Sequence, residues 1–233
     1  MRQDGARLLR RWSGKNESGS VVMTSQIDFR VLELLSSRLC HDLVGPIGAV
    51  GNGLELLEDE SFDMADDAMK LANASAQQAA NALQFYRLAY GVAGSRIGSD
   101  FGTLRTLAAG FVSHSKAELD WPDSPAPDEG PEDLGKLILN MIALAAEALP
   151  RGGHLTVDVI ARPDGVTLSV LAAGENAGLR PEAEIALKPD VAIEDLTARN
   201  VQGYFTRLLC RRMGSDLSVE ASVPGRVRFL AEF

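Results

Sequence analysis

The 233-residue chain is 45% hydrophobic and 24% charged, an ordinary globular composition with enough apolar material for one large domain or two modest ones. Its 23 basic residues against 32 acidic ones leave a net charge of −9, which argues against a main role in gripping nucleic-acid phosphates and directs the search for partners to proteins. The longest apolar stretch, Leu137 to Leu149, is interrupted by Asn140 and Glu147 and is too short to span a bilayer, so the chain is expected to be cytoplasmic, with no membrane partner.

Residues 1–22 carry five basic and two acidic side chains, without the apolar run of a secretory signal. A disordered tail over 1–23 is the expectation, and Met23 can be the true start of translation, which would make the preceding residues non-native. From Ile27 to about Glu58, residues Leu32, Leu35, Leu39, Leu43, Ile47, Val50, Leu54 and Leu57 recur at spacings of three and four, predicting one long amphipathic helix with Asp28 as its N-cap. After a turn at Glu60-Ser61 a second helix is expected over about 62–90, with Met64, Ala68, Leu71, Ala79, Ala82, Phe85 and Leu88 or Ala89 inward. Residues 24–92 thus form an antiparallel hairpin, whose broad apolar stripe a second copy would cover in a homodimeric four-helix bundle.

A linker at 93–100 precedes a region of different pattern over 101–233. Phe101 to Val112 reads as a helix, Glu118 to Trp121 as a short extended segment and Pro122 to Pro131 as a loop. Glu132 to Leu149 is strongly helical and stops at Pro150 and Gly152-Gly153. His154 to Ile160 and Val166 to Leu171 alternate as strands around a Pro163-Asp164-Gly165 turn. A helix over Val201 to Met213 and strands near Leu217 to Ala221 and Arg226 to Phe233 complete the region. The fold class is α+β: a helical hairpin followed by an antiparallel or mixed sheet covered by helices on one face. Cys40 and Cys210 lie in helical patterns with no CxxC spacing, and reduced core thiols are expected.

His41 lies two residues from both Leu39 and Leu43, so on a helix it points away from the apolar stripe and into solvent. Ser37, Gly45, Gly48 and Asn52 share its face, and everything beside it is expected to be small or polar. Helix interiors resist glycine at about 1 kcal/mol and proline at about 3 kcal/mol, yet this helix contains Gly45, Pro46, Gly48, Gly51 and Gly53. A flat surface of this kind lets another protein bring its own active site to an exposed imidazole, with Ser37, Gly45, Pro46, Gly48 and Asn52 as docking residues. A neutral imidazole is nucleophilic near pH 7. Asp42 can hold its tautomer or take its proton, and Arg38 can help neutralise phosphate charge. His41, Asp42 and Arg38 are therefore the candidate catalytic residues of a phosphoryl relay, with no cofactor or metal on the chain itself. A phosphate-cradling glycine loop is a weaker reading, since no GxGxxG or GxxxxGK[ST] spacing is present, and Cys40-His41 lacks further ligands for a metal.

The run RLCHDLVGPIGAVGNGLELL, Arg38 to Leu57, resembles the ChpT family of alphaproteobacterial histidine phosphotransferases. Within it, His41-Asp42-Leu43-Val44-Gly45-Pro46 is similar to the H-[DE]-x-x-x-P box of sensor kinase dimerisation helices. The resemblance extends over most of the chain from Met23 onward and implies that the second half is a degenerate kinase-type ATPase-like sandwich. Asn140 sits where the first asparagine of the kinase N-box would be, while Leu144 occupies the place of the second, a magnesium ligand that hydrocarbon cannot replace. Val170 to Leu179 lacks the aspartate of the D-x-G-x-G box, and Asn200 to Phe205 replaces the glycine-rich turn.

What the family implies is a protein phosphotransferase working through phosphohistidine, neither binding nor hydrolysing ATP. It implies a homodimer relaying phosphate from the receiver domain of a CckA-type hybrid kinase, which carries the Mg2+, to response regulators of the CtrA and CpdR type that govern the cell cycle. An ATP-dependent sensor kinase core and a structural dimerisation adaptor are the alternatives.

Overall fold

Apolar spacing makes Phe29–Glu58 one helix of 30 residues (α1) that continues through Pro46. Asp28 caps it as expected, its carboxylate accepting the Arg30 N–H at 2.8 Å. Ala65–Ala89 form the second helix (α2), antiparallel to the first. The two approach closely where Gly53 meets Ala72 and Ala68: a Cβ at Gly53 would lie 2.9 Å from the Ala72 Cβ and 3.1 Å from the Ala68 carbonyl oxygen. Small residues therefore form the contact, and Leu71, expected on the inner face, is exposed while Ala68, Ala72 and Ser75 are buried in its place. This computed structural model describes residues 28–58, 65–92, 100–123, 127 and 130–233. The expected N-terminal tail, the Glu60-Ser61 turn, Met64 and the 93–99 linker lie outside the described residues.

The second region begins with α3 (Phe101–Val112), capped by Asp100, and β1 (Ala117–Asp120). Helix α4 (Leu134–Glu147) is followed by β2 (Gly153–Arg162), β3 (Gly165–Ala173), α5 (Pro181–Ala186) and α6 (Val201–Arg212), then β4 (Ser218–Glu220) and β5 (Arg226–Glu232). The sheet order is β1-β2-β3-β5-β4, with β1 parallel to β2 and the other pairs antiparallel. The chain passes from α4 into β2 through Gly152, whose φ of +89° and 2.3 Å approach of a virtual Cβ to the Lys116 carbonyl oxygen admit only glycine. The expected strands and main helices are all present; α5 and a 3-10 turn at Ile193–Asp195 are additions that no apolar periodicity announced.

Every residue from Leu134 to Ala145 is buried, because α4 is enclosed by α2, α3, the sheet and α6. That enclosure accounts for its nearly continuous apolar sequence. One core runs from Phe85, Leu88 and Ala89 of α2 through α3 and α4 to Leu155, Val170 and Phe229 of the sheet. The start of α1 also docks on the second region, with Val31 and Leu35 packed against Ala186, Leu196 and Val201. Residues at the predicted stripe positions Leu32, Ile47 and Leu54 remain exposed in the single chain. Cys210 is buried, but Cys40 is exposed, correcting the expectation of two core thiols: the helix turns position 40 outward beside His41.

Hairpin and second region are also joined by buried polar groups. The Asn140 amide, fully buried, donates to the carbonyls of Ala89 at 2.7 Å and Lys136 at 2.8 Å and accepts from Gln202 Nε2 at 2.8 Å. Gln202 in turn accepts from the Tyr90 hydroxyl. Removing the amide strands several polar groups away from water. Asn140→Ala is therefore expected to lower the unfolding free energy by about 3 kcal/mol, read from urea denaturation, with the hairpin and the second region losing structure in one transition.

Candidate functional site

Helix α1 carries His41 on its solvent face, with 82% of its side chain exposed. Next in sequence, Asp42 approaches the ring with Oδ1 at 3.2 Å from Nδ1. A carboxylate only accepts, so a hydrogen bond at this contact requires the proton of the neutral ring on Nδ1, the tautomer that leaves Nε2 with a free lone pair. The other carboxylate oxygen, Oδ2, accepts a hydrogen bond from the Tyr86 hydroxyl of α2 at 2.5 Å. Arg38, one turn before Asp42, has its Nε 3.9 Å from the same oxygen.

Ser37, Gly45, Gly48 and Asn52 are exposed on α1, and Pro46 is half-buried. A Cβ built at Gly45, Gly48 or Gly51 would meet nothing within 4 Å. These glycines, unlike Gly53, face open space. The face is not made of small and polar groups alone, however. Val44, three residues after His41, is 68% exposed, so the surface around the imidazole includes an apolar contact point.

Sequence reasoning grouped Arg38 with His41 and Asp42, but the fold turns its guanidinium into the seam between the hairpin and α4. There it pairs with Glu147 at the end of α4, with only 11% of its side chain exposed. The second oxygen of Glu147 accepts from Arg180, just before α5, at 3.1 Å. Burial opposes the charged form of Arg38, yet Glu147, with Tyr90, Tyr86 and Asp42 behind it, holds its pKa above the ordinary value. To neutralise a phosphoryl group on His41, Arg38 would have to leave Glu147.

Tyr86, Glu147 and Arg180 were not legible as site residues. Their placement depends on which helices pack together, and the single available signal was a polar-tipped aromatic, Tyr86, next to the inner-face Phe85 of α2. A cleft of about 320 Å³ lies below Asp42, bounded by Arg38, Tyr86, Phe111, His114 and Glu147 among others.

This seam generates two expectations. Removing Glu147 leaves Arg38 charged, buried and without its main partner, so Glu147→Ala should reduce stability by about 3 kcal/mol. Arg180→Ala, at a half-exposed position, should cost less than about 1 kcal/mol; the two midpoints in urea separate these effects. Burial, foremost, also pushes the Tyr86 and Tyr90 phenols well above their usual range. The unfolded chain releases these protons near pH 10 and the native protein retains them. Their contribution to stability is thus fully present below about pH 10 and is lost as pH rises toward the native values. Urea midpoints should hold level up to about pH 9.5 and fall beyond it.

With this geometry in hand, comparison with known proteins places the chain. Residues 101–224 match the family model of the histidine phosphotransferase C-terminal domain. Over 191 residues the chain is 36% identical to "Protein phosphotransferase ChpT" of Brucella abortus (strain 2308), covering 81% of this chain and 89% of that protein. It superposes on a solved bacterial phosphotransferase with a TM-score of 0.76 and 32% identity, covering 89% of this chain and 98% of that one. The chain belongs to the ChpT family of histidine phosphotransferases.

Proposed function

We propose that His41 is the residue through which this phosphotransferase passes its phosphoryl group, taking it from the aspartyl phosphate of a hybrid kinase's receiver domain and giving it to the aspartate of a response regulator. The observation that carries this reading is the exposed imidazole whose Nδ1 is held by Asp42 and whose Nε2 faces solvent beside unshielded glycines. In the accepting step the Nε2 lone pair attacks phosphorus, an N–P bond forms, and the P–O bond to the donor aspartate breaks with its electron pair leaving on that carboxylate. The Nδ1 proton stays on the ring, where Asp42 offsets the positive charge that develops. Return of the group to a second carboxylate is the same step reversed.

Neutralisation of the phosphoryl oxygens falls mainly to the divalent cation of the partner's receiver domain. This chain supplies no cofactor. The use of Asn140 as a buried link to Ala89, Lys136 and Gln202, with buried Leu144 one turn on, supports the reading that the second region has abandoned nucleotide binding. Likeness to ChpT supports hybrid kinase and response regulator partners of the CckA, CtrA and CpdR type, and thereby a role in the cell cycle in the cytoplasm. Exposed Ile47 and Leu54 on α1 and Met69 and Leu83 on α2 support pairing of two hairpins into a homodimeric four-helix bundle, since patches of this kind are rarely left open to water.

Mixing the protein with a phosphorylated receiver domain tests the relay. Acid-labile label should appear on the wild type and be lost completely from His41→Ala with its fold and self-association retained. Full labelling of that variant would end the proposal. The glycine face has its own signature. Gly48→Ala should raise stability by up to about 1 kcal/mol, since nothing in the chain opposes the added methyl. Gly48→Phe should keep the fold while slowing transfer from the receiver at least about tenfold through lost docking, measured as the rate at subsaturating receiver.

A further inference from the structure

The Tyr86 ring is held by three aromatic neighbours. It is 2% exposed, meets Phe85 edge-on with centroids 5.7 Å apart and Phe111 of α3 at 5.7 Å and 73°, and stacks on Tyr90 at 5.1 Å and 15°. The packed ring places its hydroxyl 2.5 Å from Asp42 Oδ2. Burial and the neighbouring Asp42 charge keep that phenol protonated, and therefore a donor, well beyond its usual range.

Asp42 is less constrained by itself. It is a short side chain at a half-exposed position of a helix, able to change rotamer or turn to solvent. The other group near Oδ2, Arg38 Nε, stands at 3.9 Å, beyond hydrogen-bond distance. The phenol is accordingly the hydrogen-bond donor that fixes this carboxylate oxygen, with the Arg38 charge behind it. With Oδ2 fixed, Oδ1 is presented to His41 Nδ1 at 3.2 Å.

We propose that Tyr86 is a positioning residue of the phosphotransfer reaction: by holding Asp42 it fixes the proton of His41 on Nδ1 and leaves Nε2 as the nucleophile. The inference rests on the reading of His41 as phosphoacceptor. Free imidazole in a histidine side chain prefers its proton on Nε2, the tautomer that blocks the attacking nitrogen. A hydrogen bond at Nδ1 reverses the preference, and its value depends on the carboxylate being in place when the receiver arrives. The packing of Tyr86 against Phe111 makes α3, and with it the second region, part of what orients the exposed histidine.

Tyr86→Phe removes the hydroxyl while retaining the ring that packs. In the full-length protein, long-range 15N spectra of His41 should give the Nδ1–H tautomer for the wild type and a shift toward Nε2–H for the variant. The single-turnover rate of acceptance from a phosphorylated receiver should fall about 10- to 100-fold, with receiver affinity unchanged. On an Asp42→Asn background the same change should have no further effect, because Tyr86 acts only through the carboxylate. A wild-type His41 found as Nε2–H overturns the proposal without reference to any variant. So does a Tyr86→Phe protein with an unaltered tautomer and a rate within twofold of wild type, or one that loses as much rate on the Asp42→Asn background as alone. If His41→Ala still accepts phosphate, the phosphoacceptor reading itself fails; if that variant is inert while Tyr86→Phe is silent, the positioning role alone is lost.

Discussion

Two buried amides tie the end of the hairpin to the second region. Asn140 of α4 and Gln202 of α6 lie without solvent contact at the point where α2 ends, and between them they satisfy the Ala89 carbonyl, the Tyr90 hydroxyl and each other. Inside a protein such groups tolerate no vacancy, because each unpaired member bears its desolvation penalty unrelieved. Displacing the second region from the hairpin would expose the core that Phe85 and Leu88 share with α4 and strand this polar chain at once. A domain that delivers its own nucleotide to a histidine has to move toward it. Here the asparagine that resembles the kinase N-box residue is committed to holding the domain in place.

That fixed docking brings charges from the second region to the base of the histidine helix. Arg38 reaches across the seam to Glu147, which is shared with Arg180, while α3 packs Phe111 against the Tyr86 ring that bonds Asp42. The surroundings of His41 are consequently assembled from α1, α2, α3 and α4, although the histidine belongs to the hairpin alone. The arrangement combines exposure with order: the His41 ring stands in solvent, and its neighbour Asp42 is held from beneath by the Tyr86 hydroxyl.

The sequence made some of this legible and hid the rest for reasons that can be named. His41 lay two residues from apolar neighbours on both sides, and a helix converts that spacing directly into exposure. Alternation from His154 to Leu171 marked the hairpin β2–β3, since one face of each strand is more buried than the other. Leu71 misled because a periodic pattern identifies an apolar position without identifying its neighbour; the helices meet through alanine, serine and Gly53. Val31 and Leu35 bind the second region, a contact between distant segments that periodicity within one helix cannot encode. Arg38 was read as a phosphate ligand because its position suits that role, but Glu147, 109 residues away in sequence, claims it.

The glycines of α1 separate packing from recognition by a physical criterion. Gly53 has a reason inside the chain, because a methyl there would collide with α2. Gly45, Gly48 and Gly51 have none: a methyl at each would stand in open space, and alanine would favour the helix by up to about 1 kcal/mol at each position. A helix interior that forgoes this stabilisation three times does so for no packing reason within the described residues. Pro46, which removes a hydrogen bond from the same stretch, belongs to the same balance. Proteins sit close to their stability threshold, so three such concessions on one helix are a measurable loss of stability, and they lie along the stretch of α1 that follows the exposed His41.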